Sequence, residues 1–151
     1  MQAVIFMGIQ GSGKTTFYKE QFLKTHVRIS LDLLKTRGKE QRFLQLCLDT
    51  GQKFVVDNTN PTPASRMRYI EAAKRHRFHV IGYYFNSNLH EAITRNQQRT
   101  GKEIVSIIGI RATHKKLQPP TLQEGFDALY EVTLINNNFE VQEMMKRTTN
   151  T

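Results

Sequence analysis

The stretch that decides the fold reads Gly8-Ile9-Gln10-Gly11-Ser12-Gly13-Lys14-Thr15. It follows the apolar run Ala3–Met7 and precedes helix-forming residues, and it matches the pattern G-x-x-x-x-G-K-[ST]. In such a loop, successive backbone N–H groups converge on an anion, and the next helix adds the positive end of its dipole. The sequence therefore predicts a binding site for a nucleoside triphosphate directly after the first strand.

The chemistry of this loop assigns roles to its residues. We expect Lys14 to reach the β- and γ-phosphates of ATP and Thr15 to hold Mg²⁺ through its hydroxyl group. The other nucleotide-binding residues predicted here are Gly8, Gly11, Ser12, Gly13 and Thr16. A dinucleotide-binding loop is excluded, because the third glycine of its pattern would fall at Thr16.

Strand-like and helix-like segments alternate along the rest of the chain. The predicted strands are Ala3–Met7, Val27–Ser30, Lys53–Asp57, His79–Phe85 and Glu131–Ile135. The predicted helices are Lys14–Lys24, Leu31–Thr50 with a break near Gly38, Ala64–Arg77, Asn88–Thr100 and one around Ile104–Leu117. Thr62-Pro63 supplies a cap and a first-turn proline before Ala64, and Gly101 ends the helix that begins at Asn88. In the long second helix we expect Phe43, Leu46 and Cys47 on the apolar stripe. This alternation predicts an α/β fold, in which a parallel β-sheet is flanked by helices on both faces.

Length and composition limit the classes of protein that fit. The 151 residues suit a single domain, 1–151, and we expect its tail, about 139–151, to be helical or frayed. No apolar run approaches the ~20 residues that cross a bilayer. Cys47 is the only cysteine, so an intrachain disulfide is excluded, and we expect it to lie in the core. We therefore expect a reducing, intracellular (cytoplasmic) location.

The net charge of +9 is unevenly distributed. Residues 61–120 carry eleven basic and three acidic side chains, a net charge of +8, whereas residues 121–151 carry two and five, a net charge of −3. Such a basic segment would attract a polyanion, although a merely solvated basic surface is the simpler explanation of the charge alone. The same two interpretations apply to one basic cluster on the helix after residue 62, formed by Arg66, Arg68, Lys74, Arg75 and Arg77.

Two carboxylates and two arginines are candidate functional residues outside the loop. Asp32 follows a short strand, where it is either a general base or a residue near a helix N-terminus. Asp57 ends a buried strand, where it either assists the metal or stabilises a turn. Arg95 and Arg99 are four residues apart, so a helix would place both on one face. They form either a lid over the triphosphate or a solvated face.

Beyond the loop, the chain resembles the kinase domain of the polynucleotide 5′-hydroxyl kinases over about residues 2–135. The residues that carry this resemblance are Ser30-Leu31-Asp32, Val56-Asp57-Asn58-Thr59-Asn60-Pro61, Ala64-Ser65-Arg66 with Arg68-Tyr69, Arg95-Asn96 with Arg99, and Pro120-Thr121-Leu122-Gln123-Glu124-Gly125-Phe126.

The resemblance implies a P-loop NTPase fold with a helical lid at about residues 95–110. It implies that Asp32 is the general base, that Asp57 is a second carboxylate acting indirectly on the metal, and that Arg99, with Arg95 as accessory, closes on the donor. It also implies ATP and Mg²⁺ as cofactors, and 5′-hydroxyl ends of DNA or RNA as the substrate. The acceptor-binding residues are then Asp32, Lys35, Asp57 and Thr59.

The sequence departs from that family in two places. Lys35 stands where the phage members have an arginine, so the charge is kept but the bidentate fork is lost. The pattern D-x-D-G-T of the fused phosphatases is absent, so we expect no 3′-phosphatase activity from this chain. The predicted function is ATP-dependent phosphorylation of 5′-hydroxyl ends in nucleic-acid repair. The alternatives are a small-molecule or nucleoside kinase, or an ATP-switched module that binds nucleic acid.

Overall fold

In the computed structural model, which describes residues 1–99 and 105–144, one β-sheet forms the centre of the molecule. Within those residues its strands are β1 (Gln2–Met7), β2 (Val27–Ile29), β3 (Phe54–Val56), β4 (His79–Phe85), β5 (Ala128–Ile135) and β6 (Asn138–Glu143). Their order across the sheet is β2-β3-β1-β4-β5-β6. The first five strands are mutually parallel, and β6 pairs antiparallel with β5. The five predicted strands and the α/β fold class are confirmed.

The strand order explains where a ligand site forms. The chain after β1 goes to one side of it, to β2 and β3, and later returns to its other side as β4. The connection from β1 to β2 and the connection from β3 to β4 thus run to opposite sides of β1. Such a change of direction opens a crevice at the carboxyl ends of the strands. The loop Gly8–Gly13 lies at that end of β1.

Helices connect these strands. Within the described residues they are α1 (Lys14–Gln21), α2 (Leu31–Leu34), α3 (Arg37–Thr50), α4 (Pro63–Arg75), α5 (Leu89–Gln97) and α6 (Ile107–Lys116), with a 3₁₀ turn at Leu122–Glu124. The N-terminus of α4 is as predicted: the Thr62 hydroxyl accepts the N–H of Ser65, and Pro63 occupies the first turn. Among the described helices, none is long and apolar enough to cross a membrane.

The helices cover both faces of the sheet. On one face, α3 and α4 pack Leu44, Cys47 and Ile70 against the strands, and on the other α1 packs Phe17. Cys47 is buried, as predicted. The apolar stripe of α3 differs from the one expected, because Phe43 and Leu46 are 45% and 59% exposed. The buried stripe instead includes Glu40, a charged residue that a hydrophobic pattern does not include.

Two segments differ from the sequence prediction. The helix predicted over Leu31–Thr50 is two helices, and the break lies at Lys35 rather than near Gly38. Lys35 has a positive φ of 74°, and the Thr36 hydroxyl then caps α3 by accepting the N–H of Lys39. Residues 139–143 of the tail, predicted to be helical or frayed, instead belong to β6, and residues 145–151 of that tail lie outside the described residues. Asn136 and Asn137, both at positive φ, make the tight turn that returns the chain along β5.

Candidate active site

The loop after β1 is shaped by two glycines at positive φ. Gly11 has a φ of 77° and Gly13 a φ of 93°. A Cβ atom at residue 11 would collide with the carbonyl oxygen of Ala92, and one at residue 13 would lie 2.9 Å from the ring of Phe139 on β6. The base of the loop is fixed by the N–H of Gly8, which donates to the Thr59 carbonyl at 2.9 Å. Glycine is therefore required at both positions for the loop to keep this shape.

Lys14 lies buried under the loop. Its Nζ donates to the carbonyl oxygens of Gly8 at 2.9 Å and Ile9 at 2.7 Å, and to the Ser12 hydroxyl at 3.3 Å. Burial lowers the pKa of Lys14 to about 8; the charges of Asp57 and Asp32 oppose this shift, and that of Arg99 adds to it. Asp57, Asp32 and Arg99 thus all contribute to the electrostatic environment of the Lys14 ammonium group.

Thr15 and Asp57, the two predicted metal-site residues, are in direct contact. The Thr15 hydroxyl donates to Asp57 Oδ2 at 2.9 Å, and the side chain of Asp57 is only 2% exposed. The Arg28 guanidinium donates to the same carboxylate oxygen at 2.8 Å through Nε. Hydroxyl and carboxylate oxygens are ligands that Mg²⁺ prefers. The hydroxyl of Thr15 and the carboxylate of Asp57 therefore fit a magnesium ion by their chemistry, and Arg28, which pairs with the same carboxylate oxygen, would compete with the ion for it.

Arg28 was missed by the sequence prediction. It stands between Val27 and Ile29 on β2, the edge strand of the sheet, and its guanidinium is half-buried, so it needs a carboxylate partner. That requirement was a usable signal, because β3 pairs with β2 and Asp57 follows β3 directly.

Asp32 lies on α2, a helix of one turn. Its side chain is exposed, and its charge acts on Lys14. The cap residue Ser30 makes no side-chain bond to this helix; instead, the N–H of Leu31 donates to Asn58 Oδ1 at 2.9 Å. Lys35, at the end of α2, is exposed.

The two predicted lid arginines occupy different kinds of position. Arg95 Nε donates to the Gly11 carbonyl at 2.6 Å, so this side chain braces the loop itself. Helix α5 ends at Gln97, earlier than predicted, and Arg99 lies in the turn after it, where its N–H donates to the Asn96 carbonyl. The two arginines therefore do not share a helix face. Gly101, predicted to end this helix, lies outside the described residues.

The turn after β3 joins the two sides of the site. Asn60 is buried at a positive φ of 41°, and its Nδ2 donates to the Phe6 carbonyl at 2.8 Å. Thr59, predicted to bind the acceptor, is half-buried and contributes its carbonyl to the loop base. Thr16, predicted to bind nucleotide, is exposed at the start of α1.

Arg66 differs from both interpretations of the basic cluster, since it is neither solvated nor free to contact a strand. Its side chain is 0% exposed, and its Nη1 lies 3.1 Å from each carboxylate oxygen of Glu124. It also donates to the carbonyl oxygens of Asn60, Pro61 and Gln118. Arg66 is therefore a structural residue. The other members of the cluster are exposed: Arg68, Lys74, Arg75 and Arg77.

A phosphate loop at the carboxyl end of a central strand of a parallel sheet, with its lysine and threonine at the start of a helix, defines a P-loop domain that binds nucleoside triphosphates. A family model described as "AAA domain" matches residues 4–120, and the chain belongs to that family.

Curated relatives extend this result. The chain is 28% identical over 136 residues to a bifunctional polynucleotide phosphatase/kinase from Schizosaccharomyces pombe, covering 87% of this chain and 33% of that protein. It is 31% identical over 139 residues to a protein named as a candidate bifunctional polynucleotide phosphatase/kinase from Acanthamoeba polyphaga mimivirus, with the same two coverages, 87% and 33%. The resemblance found in the sequence is confirmed, and the chain spans about a third of the length of these relatives.

A solved structure confirms the fold. The gluconokinase from Sinorhizobium meliloti 1021 superposes with a TM-score of 0.62 at 16% identity, covering 87% of this chain and 82% of that one. At this identity the likeness extends to the fold alone.

Proposed function

We propose that this chain transfers the γ-phosphoryl group of ATP to a 5′-hydroxyl end of DNA or RNA, in the repair of nucleic-acid ends. One observation carries the proposal: Asn58, the neighbour of the Asp57 that accepts the Thr15 hydroxyl, binds the N–H of Leu31, and so holds the helix with the exposed Asp32 carboxylate beside the phosphate loop. A phosphate site with a carboxylate at its open side suits transfer to an incoming hydroxyl group. The relatives named as polynucleotide kinases support a nucleic-acid end as the acceptor.

The donor side uses residues that the fold already holds. Lys14 exchanges its bonds to the loop carbonyls for the β- and γ-phosphate oxygens of ATP, while the loop N–H groups bind the remaining oxygens. Thr15 and Asp57 would hold Mg²⁺, which supplies charge neutralisation between the phosphates when bound. Arg95 keeps the loop in shape through its bond to Gly11.

The acceptor side uses Asp32 and a guanidinium. Asp32 accepts the proton of the 5′-hydroxyl group as the hydroxyl oxygen bonds to the γ-phosphorus atom. The bond from that phosphorus to the bridging oxygen breaks in the same transfer, and ADP leaves with the electron pair. Arg99 stabilises the negative charge that grows on the transferring group; it follows α5, whose Arg95 contacts the phosphate loop at Gly11. Lys35 and the exposed basic side chains attract the backbone of the acceptor strand.

The test is phosphoryl transfer from γ-³²P-labelled ATP to a panel of acceptors. We expect label on 5′-hydroxyl oligonucleotides, a rate that falls steeply with added salt, and none on the same oligonucleotides already carrying a 5′-phosphate. Label on nucleosides or sugars alone, with little effect of salt, would identify a small-molecule kinase instead. Retained nucleic-acid binding without any transfer would identify an ATP-switched binding module.

A second assay separates the two activities named for the relatives. Because the D-x-D-G-T pattern is absent from this sequence, we expect the chain to release no phosphate from a 3′-phosphorylated oligonucleotide. Release by the purified chain would contradict this part of the proposal.

A further inference from the structure

A buried polar cluster lies behind the acceptor side of the site. It consists of Glu40 on α3, Tyr69 on α4, Arg37 at the start of α3, and Asn58 after β3. The Glu40 carboxylate is only 2% exposed, and Tyr69 is 0% exposed. A carboxylate is acceptor-only and costly to bury, so the groups that face it are fixed as donors.

Every group in this cluster has a defined hydrogen-bonding role. The Tyr69 hydroxyl donates to Glu40 Oε1 at 2.8 Å, and Arg37 Nη1 donates to the same oxygen at 3.0 Å. Burial, together with the bond to Glu40, raises the pKa of Tyr69 to about 12, so its hydroxyl remains a donor at neutral pH. The second carboxylate oxygen, Oε2, accepts from Asn58 Nδ2 at 3.0 Å.

The Asn58 amide connects this cluster to the helix that carries Asp32. Because its nitrogen faces Glu40, its oxygen must face the other way, and Asn58 Oδ1 accepts the N–H of Leu31 at 2.9 Å. Leu31 is the first residue of α2, and Asp32 is the second. A helix of one turn is unstable in isolation, and Ser30 gives it no side-chain cap. Asn58 therefore caps α2 from outside.

We infer that Glu40 is a positioning residue for Asp32, acting through the Asn58 amide; as a statement about catalysis this rests on the proposed function. Glu40 selects the one amide orientation that holds the N-terminus of α2, and so fixes where the Asp32 carboxylate meets the acceptor hydroxyl. The same cluster ties α2 to Asp57, the neighbour of Asn58 in sequence, so that the donor and acceptor sides keep one relative position.

The substitution Glu40→Gln tests this inference with little change of shape. Tyr69 and Arg37 still require an oxygen at the Oε1 position, so the NH₂ group of the introduced glutamine would face the NH₂ group of Asn58. If the Asn58 amide rotates to relieve this conflict, its nitrogen faces the N–H of Leu31. We expect kcat for 5′-hydroxyl phosphorylation to fall about 10- to 100-fold, as for a misplaced catalytic group, with KM for ATP nearly unchanged.

A charge swap between the two residues provides the decisive variant. Asn58→Asp alone sets two carboxylates against each other and should also lower kcat. In the double variant Glu40→Gln/Asn58→Asp, the new amide at position 40 donates to one oxygen of the new carboxylate at position 58, and the other oxygen accepts the N–H of Leu31. Its net charge equals that of the wild type. We expect the double variant to exceed both single variants in kcat. A double variant no faster than the faster of the two single variants would overturn the inference.

Three further measurements separate positioning from folding and from the proposed function. Tyr69→Phe keeps the Glu40–Asn58 bond and should cost less than Glu40→Gln, and Glu71→Gln, the same change at an exposed residue of α4, should leave kcat unchanged. Hydrogen exchange at the Leu31 amide should be faster in Glu40→Gln and slow again in the double variant. If the wild type phosphorylates no 5′-hydroxyl end, the proposed function fails, and the Leu31 exchange pattern still decides whether Glu40 holds α2. Unchanged exchange in Glu40→Gln would overturn the inference.

Discussion

The donor and acceptor sides of the candidate site are built differently. On the donor side Lys14 and Asp57 are buried, and each makes several hydrogen bonds inside the protein. On the acceptor side Asp32 is exposed on one helical turn, which is held from behind by Asn58. A phosphate loop must hold its shape against a highly charged ligand, whereas Asp32, as the proposed base, must meet a hydroxyl group that arrives from solvent. We therefore expect mutations to separate ATP binding from phosphoryl transfer.

Substitution of Arg99 is the strongest test of this separation. Arg99→Ala should lower kcat by about 10³- to 10⁵-fold, the usual effect of removing an arginine that stabilises a transferring phosphoryl group. ATP affinity should change much less, because the charge that Arg99 stabilises grows only during transfer. Arg99→Lys should recover part of the rate, since a point charge lacks the planar fork. Single-turnover rates and ATP titrations of both variants provide the measurement.

Arg95→Ala serves as the contrast to Arg99→Ala. Its guanidinium holds the Gly11 carbonyl, so its removal should weaken ATP binding and lower kcat less. Near-normal turnover of both alanine variants on a short oligonucleotide would show that the two arginines form only a basic surface.

Substitution of Asp32 tests the acceptor side alone. Asp32→Asn should lower kcat by about 10²- to 10⁴-fold, because an amide does not accept the hydroxyl proton. The dissociation constant for ATP should stay close to that of the wild type, since the donor loop is untouched. Asp49→Asn, on the exposed side of α3, is the matched control. A variant that keeps more than about a tenth of the wild-type rate would rule out Asp32 as the base.

Removal of the Phe139 ring tests how the donor loop is supported. This ring packs against Phe17 with a centroid distance of 5.2 Å and lies against Gly13. Because Phe139 is half-buried, Phe139→Ala should lower the free energy of unfolding by about 2 kcal/mol, less than for a fully buried phenylalanine. Urea denaturation measures this change, with Val141→Ala on the exposed part of β6 as control. Equal effects of the two substitutions would contradict a supporting role of β6.

The pH dependence of ATP binding is the smallest expected effect. In the free protein the pKa of Lys14 is about 8, and bound triphosphate would raise it because phosphate favours the ammonium form. ATP binding therefore takes up a proton above pH 8, and affinity should fall about tenfold between pH 7 and pH 9. The contribution of Lys14 to folding stability has the opposite sign: it rises with pH from about 8 to 10.5, where the unfolded chain still holds the proton. Calorimetric titration with ATP at several pH values measures this dependence. In the Lys14→Met variant, the ATP affinity should not change with pH over this range.

Sequence patterns correctly predicted the structural features that are determined by residues adjacent in the chain. The phosphate loop, the five parallel strands and the cap at Thr62 each have a local signature, and all three are present in the structure. The break between α2 and α3 was predicted near Gly38, because glycine has a low helix propensity. It lies instead at Lys35, because the Thr36 hydroxyl caps the start of α3.

The parts that were missed depend on partners distant in sequence. The roles of Arg28 and Arg66 follow from carboxylates 29 and 58 residues away. Glu40 has the sequence pattern of a surface residue on a helix, and only the fold places Asn58 and Tyr69 against it. No periodicity in the sequence reports such pairs, because a charged residue looks the same whether its partner is water or a buried amide.

The burial of Arg66 also affects the order in which parts of the chain fold. Its guanidinium takes partners from the turn at Asn60 and Pro61 and from Gln118 and Glu124, and the last of these is 58 residues later in the chain. A buried charge without its partner costs about 3–5 kcal/mol. During synthesis on the ribosome, the turn that follows Asp57 is therefore not locked until residue 124 has emerged. The phosphate loop, although made early, acquires its finished base only after most of the domain exists.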